Sequence, residues 1–167
     1  EFAERLASVG LVVTSGLADG IDTAAHQATI GVGGITIAVC GTGLDTVYPP
    51  RNADLAARIA ARGALVSEFA LGRPPLPEHF PRRNRIIAAL ALGTLVVEAG
   101  LRSGSLITAR LAAECGREVM AVPGSIRNPR AQGCHRLIRQ GAALVETPDE
   151  VVELLAPALA RLRATLD

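Results

Sequence analysis

The sequence predicts an α/β fold with a doubly wound, mostly parallel sheet, and three observations carry that expectation. Six short runs rich in Val, Ile, Leu and Ala alternate with segments of helical periodicity. Glycine-bearing turns recur where a run ends and a helix begins, as at Ser15-Gly16 and Gly41-Thr42-Gly43. The 167 residues are 49% hydrophobic, which is enough for one domain with a full core. That domain is expected to span residues 1–156, with 157–167 a tail or linker.

Taken in order, Phe2, Leu6 and Val9 at helical spacing predict a helix over 1–8, ended by Gly10, and a strand over 11–14 follows. A parallel unit needs a strand ahead of its helix, so the first strand of the fold is expected to be missing. Residues 15–22 form a glycine-bearing loop whose amides can approach a ligand. Asp22 and His26 then fall at i, i+4. A catalytic pair is one reading; a cap plus a helix-surface histidine is the expected one. A strand over 35–40 leads to Gly41-Thr42-Gly43-Leu44-Asp45-Thr46, where Thr46 replaces the third glycine of a dinucleotide fingerprint. With no glycine-lysine phosphate loop either, nicotinamide and Walker-type sites are excluded.

Tyr48-Pro49-Pro50-Arg51-Asn52 reads as a turn, with Asn52 capping a helix that runs to Arg62 and ends at Gly63. A strand over 64–67 ends at Glu68, and a proline-rich loop delivers the chain to Phe80. After a helix, residues 95–97 form a buried strand; Arg102-Ser103-Gly104-Ser105 opens the next helix and Gly116 closes it. A strand over 118–122, a polar loop at 127–130, a helix carrying Leu137 and Ile138, and a strand over 142–145 follow. Thr147-Pro148-Asp149-Glu150 fits a capping box, and Pro157 is expected to break the helix it starts.

The chemistry centres on Phe80-Pro81-Arg82-Arg83-Asn84-Arg85, with Pro81 at the first helical position. A helix amino end carries partial positive charge, so each exposed cation there is disfavoured by roughly 0.3–1 kcal/mol. An anion between the arginines removes the conflict. The second candidate, Arg102-Ser103-Gly104-Ser105, offers free amides and hydroxyls suited to phosphate. The arginines can also be a solvated face paired with an acid such as Glu78; their clustering favours anion binding. Glu68 and Glu98, at strand ends, read as acids holding guanidinium groups rather than as catalytic carboxylates.

Composition narrows the partners. Net charge is +1, so nucleic acid can be drawn only by a local patch, and all 17 cationic residues are arginine, the better phosphate fork. Aromatic residues are 2% of the chain, leaving Tyr48, Phe69 and Phe80, beyond Phe2, as the candidates for stacking bases. Cys40, Cys115 and Cys134 are an odd number without paired spacing, which argues against disulfides and a zinc site and for a reduced, cytoplasmic protein. No cofactor or metal is expected, and no apolar run is long enough for a membrane span.

Four blocks together resemble the DNA-processing protein A family (DprA, also called Smf). They are Ser15-Gly16-Leu17-Ala18 with Gly20-Ile21-Asp22; Gly43-Leu44-Asp45 with Tyr48-Pro49; Phe80-Pro81-Arg82-Arg83-Asn84-Arg85-Ile86-Ile87; and Glu98-Ala99 with Ser103-Gly104-Ser105-Leu106-Ile107-Thr108-Ala109. A later block, Ala121-Val122-Pro123-Gly124 through Gly141-Ala142, completes the match. The resemblance implies an extended Rossmann-like domain that binds single-stranded DNA without catalysis, forms a homodimer and helps load the RecA recombinase in natural transformation. It makes Ser15, Gly16, Gly20, Arg82, Arg83, Asn84, Arg85, Arg102, Ser103, Gly104, Ser105 and Thr108 the DNA-binding set. Dimer or recombinase contacts are implied on His135, Leu137, Ile138, Arg139 and Leu144, although the three apolar members also suit a core under the last helix.

The sequence departs from the family's pattern at Asp19, where many members carry a basic residue. The opening strand and small flanking domains of the family, including a winged helix, are not represented either. The alternative function is a nucleotide-processing hydrolase like the lysine-decarboxylase-like phosphoribohydrolases, whose Pro-Gly-Gly-x-Gly-Thr loop is replaced here by Gly100-Leu101-Arg102-Ser103-Gly104-Ser105.

Overall fold

The structure, a computed structural model, describes residues 1–165. It divides into two compact units, Glu1–Ile87 and the chain from Ala88 onward. All six expected strands form, and every pairing between them is parallel; they make two three-stranded sheets, one in each unit.

In the first unit, helix α1 (Phe2–Ser8) precedes β1 (Val13–Ser15), α2 (Ile21–Gly31), β2 (Thr36–Val39), α3 (Ala53–Arg62) and β3 (Ala64–Val66). β2 is central, pairing Thr36 with Val13 on one side and Ile37 with Ala64 on the other. Its Ala38 packs with Leu17, Leu55, Ala56 and Ile59 to form the core. Parallel neighbours require crossovers, and α2 and α3 supply them. The strand carboxyl ends therefore share one edge, where residues 16–20, 40–50 and 67–78 emerge before α4 (His79–Leu90).

In the second unit, β4 (Gly93–Val96), α5 (Ser105–Glu114), β5 (Glu118–Ala121), α6 (Gln132–Arg139), β6 (Ala143–Leu144) and α7 (Pro148–Ala164) repeat the scheme around central β5. Val96, Ala99, Ala109, Ala121, Cys134 and Leu137 form its core. Residues 97–104 and 122–130 emerge at the carboxyl ends. The Ala99 amide donates to Arg130 O, and the Gly133 amide donates to Ala99 O, both at 2.7 Å, which ties the two loops together.

Several local expectations are corrected. His26 is fully buried, not on the helix surface. Thr36 Oγ1 donates to Val13 O at 2.6 Å, so it accepts from His26 Nδ1 at 2.7 Å; His26 Nε2 is left without a hydrogen-bond partner. Burial lowers its pKa to about 4, against the nearby Asp22 charge and with that of Arg83. Asp22 does not cap α2; its carboxylate accepts from the amides of Gly16 and Ala18. Asn52 stands at the N-cap position of α3 without capping it, because its side chain is spent on the loop after β1. Pro81 is the third helical residue, since α4 begins at His79. Pro157 does not break α7. A proline removes one helical hydrogen bond, here to the Glu153 carbonyl, and around this exposed position water can satisfy it. The Thr147 capping box forms as expected, with Pro148 at the first position.

Candidate nucleic-acid interface

The loop after β1 is held in an unfavourable backbone conformation. Leu17 has φ 63°, a left-handed value that costs a residue with a side chain on the order of 1–3 kcal/mol. Asp22 accepts from the amides on either side of it at 3.2 and 3.1 Å, and Asn52 Nδ2 donates to its carbonyl at 2.9 Å. The side chain itself is buried in the core. Packing and three hydrogen bonds thus offset the strain and fix the loop that carries Gly16 and Gly20.

Arg83 completes this support from α4. It is 5% exposed; its Nη1 donates to Gly16 O at 2.6 Å and also to Val39 O, and its Nε donates to Asn84 Oδ1 at 3.0 Å. A Cβ on Gly16 would overlap the guanidinium, so any side chain there would push the brace out of place. Burial pulls the Arg83 pKa below its ordinary value, with the Asp22 and Cys40 charges opposing. The expected phosphate ligand is therefore an internal brace between the ends of β1 and β2.

Its neighbours face outward. Arg82 and Arg85 have side chains 64% and 57% exposed, and both reach one oxygen of Glu68, at 3.4 and 2.5 Å. The acid that partners the cluster is Glu68 rather than Glu78, and one carboxylate shared by two guanidiniums leaves a net positive charge. No acid lies in the first turn of α4. The helix start also gathers the ring side chains: His79 stacks on Phe69 with centroids 3.9 Å apart, and His79 Nδ1 donates to Gly41 O at 2.9 Å. Asp19 is held away from the arginines of α4 by an ion pair with Arg51, whose Nε meets Oδ1 at 2.5 Å.

The second unit carries its own helix start. Ser103 and Ser105 hydroxyls lie 2.7 Å apart, and the Ser105 amide points to Ser103 Oγ at 3.4 Å. Gly104 is exposed with φ −61°, and a Cβ there would meet nothing within 4 Å. α5 begins at Ser105, so Arg102 and Ser103 belong to the preceding turn, with Arg102 exposed and Thr108 buried behind it. Glu98 lies 4.0 Å from Arg130, in keeping with an acid that holds a guanidinium.

On α6, His135 is half-buried and its Nε2 donates to Gly124 O at 2.9 Å. Leu137 fills the core, Ile138 packs against that core, and Arg139 and Leu144 are exposed. A groove of about 710 Å³ in this unit is lined by apolar residues such as Leu106 and Leu137 and by Arg102, Arg110, Arg117 and Arg136. Among the described residues, no cluster of His, Cys, Asp and Glu could hold a metal, and no helix is long and apolar enough to cross a membrane.

A family model for DNA recombination-mediator protein A matches residues 1–156. The chain belongs to this family. Protein Smf of Escherichia coli (strain K12) is 59% identical over 155 residues, covering 92% of this chain and 41% of that protein. Among solved structures of the recombination-mediator family, DNA processing protein A from Streptococcus pneumoniae is similar at a TM-score of 0.82 and 49% identity, covering 90% of this chain and 54% of that one. The protein from Helicobacter pylori, which has a single-stranded DNA binding mode, is similar at 0.84 and 28% identity, with 94% and 71% covered. The chain thus spans well under half the length of the Escherichia coli relative.

Sequence reasoning located both helix starts but missed the division of labour inside the first. The only signal for it was Gly16, a glycine of ordinary φ whose missing side chain makes room for something.

Proposed function

We propose that this chain is the single-stranded DNA-binding part of a recombination mediator, acting without catalysis in the cytoplasm to help load a RecA-type recombinase. The observation that carries the reading is the pair Arg82 and Arg85, mostly exposed at a helix start with Glu68 as their common acid. Phosphate balances the positive charge that one shared carboxylate leaves, and it positions a strand without reading bases. The start of α5, with the Ser103 and Ser105 hydroxyls flanking exposed Gly104, suits a further phosphate. The Helicobacter pylori relative supports the choice of single-stranded DNA.

Titrating an oligonucleotide over a salt series tests it. Arg82→Ala and Arg85→Ala should each reduce the magnitude of the log–log salt slope by roughly 0.7. Slopes equal to the parent's in both variants would remove these residues from the phosphate path. The same reading includes a homodimer through His135, Leu144 and their neighbours, with Arg139 beside it for the recombinase. Sedimentation across the micromolar range checks this, and a strictly monomeric chain would contradict it.

A further inference from the structure

All four aromatic residues of this chain lie in the first unit, three of them around the start of α4, and one of those three is poised differently from the other two. Tyr48 is 46% exposed, whereas Phe69 and Phe80 are partly buried. Its ring leans on Phe80, centroids 5.5 Å apart and planes at 44°. Phe80 is backed in turn by bare backbone, because a Cβ on Gly41 would come within 2.9 Å of its ring, and by the Arg83 guanidinium 5.9 Å from its centroid.

The loop bearing Tyr48 is hydrogen-bonded along its length. Thr42 Oγ1 donates to Thr46 O at 2.5 Å, the Thr46 amide to Gly43 O at 3.0 Å, and the Asn52 amide to Pro49 O at 3.0 Å. A supported, half-exposed ring in a fixed loop loses little freedom when something flat is laid on it. The charge nearby also has a direction. Three residues on, Arg51 is neutralised by Asp19, while the excess positive charge sits with Arg82 and Arg85. A neutral flat group suits the first place and a phosphate suits the second.

We propose that Tyr48 is a stacking platform for an unpaired nucleobase of the strand whose phosphates meet Arg82 and Arg85. This rests on the single-strand reading above and adds to it a contact to a base. Stacking of this kind accepts every base and contributes no phosphate contact. Replacing the ring should therefore lower affinity by about tenfold on that basis and leave the salt slope unchanged.

The chain has one tyrosine and no tryptophan, so its tyrosine emission reports on Tyr48 alone. The parent protein is titrated with oligothymidylate and with an abasic deoxyribose-phosphate strand of equal length, binding being followed separately by anisotropy of a labelled strand. Oligothymidylate should quench the emission as it binds; the abasic strand should bind more weakly without quenching. Tyr48→Phe should keep the parent's affinity and Tyr48→Ala should lose about tenfold. Oligothymidylate that binds without quenching, or a folded Tyr48→Ala that binds like the parent, would overturn the platform and leave the phosphate site standing. Failure of both strands to bind at low salt would overturn the single-strand reading and the platform together.

Discussion

At the start of α4, charged and aromatic side chains are held by the protein itself: Arg83 by two strand-end carbonyls, Arg82 and Arg85 by Glu68, and His79 by Gly41 O. At the start of α5 the arrangement is nearly all backbone, with two serine hydroxyls facing each other across an exposed glycine. The first start builds a cationic surface on a buried brace, so its geometry and its stability are the same thing. The second presents two hydroxyls beside an exposed glycine with open space around it, so a change there should alter binding with little effect on folding.

The largest expected effect breaks the first region. Arg83→Ala leaves the carbonyls of Gly16 and Val39 without their donor and opens a cavity behind a strained loop. It should lower unfolding free energy by about 3 kcal/mol, measured in urea. Arg82→Ala, an exposed pair, should cost under about 1 kcal/mol in the same assay. Equal effects would mean that Arg83 is not a brace.

Acid should act on the same region. His26 titrates at about 4 in the folded chain against the ordinary histidine value of 6.5, so between these values the unfolded chain binds more protons. Its contribution is present above pH 6.5 and is lost as pH falls toward 4, on the order of 3 kcal/mol in all. His26→Asn should flatten stability across that window, and an unchanged slope would place the proton elsewhere.

The smallest structural effect sharpens the contrast. Gly104→Val meets open space at an ordinary φ, so thermal unfolding should move by no more than a degree or two. Strand binding should weaken several-fold, because the added methyls stand where an anion would approach the Ser103 and Ser105 hydroxyls. A variant that melts early would show that this turn carries stability after all.

Where the sequence reading succeeded, the information was local. Periodicity located all the strands, and the Thr147 capping box lies within four residues. It failed where the partner was remote. Arg83 reads as one more cation on a basic turn, yet its acceptors lie 67 and 44 residues away. Asn52 carries the signature of a cap, and the left-handed Leu17 carbonyl, 35 residues earlier, and the Thr23 hydroxyl, 29 residues earlier, divert it. His26 shares its helix with exposed Gln27, and nothing in the spacing reveals that Thr36 lies over it. Glu78 was nearer in sequence to the arginines than Glu68, but β3 and its loop bring Glu68 back to them.

Pro157 divides α7 into unequal halves. The amino half has its capping box and two buried anchors, Val151 and Leu155, whereas none of the described residues after the proline is fully buried. A helix of so few turns is marginal in water without tertiary support. The amides beyond Pro157 should therefore exchange with solvent through local fraying, and those at Leu155 only through larger openings. Hydrogen exchange along this one helix thus separates two scales of motion, and the proline marks the boundary between them.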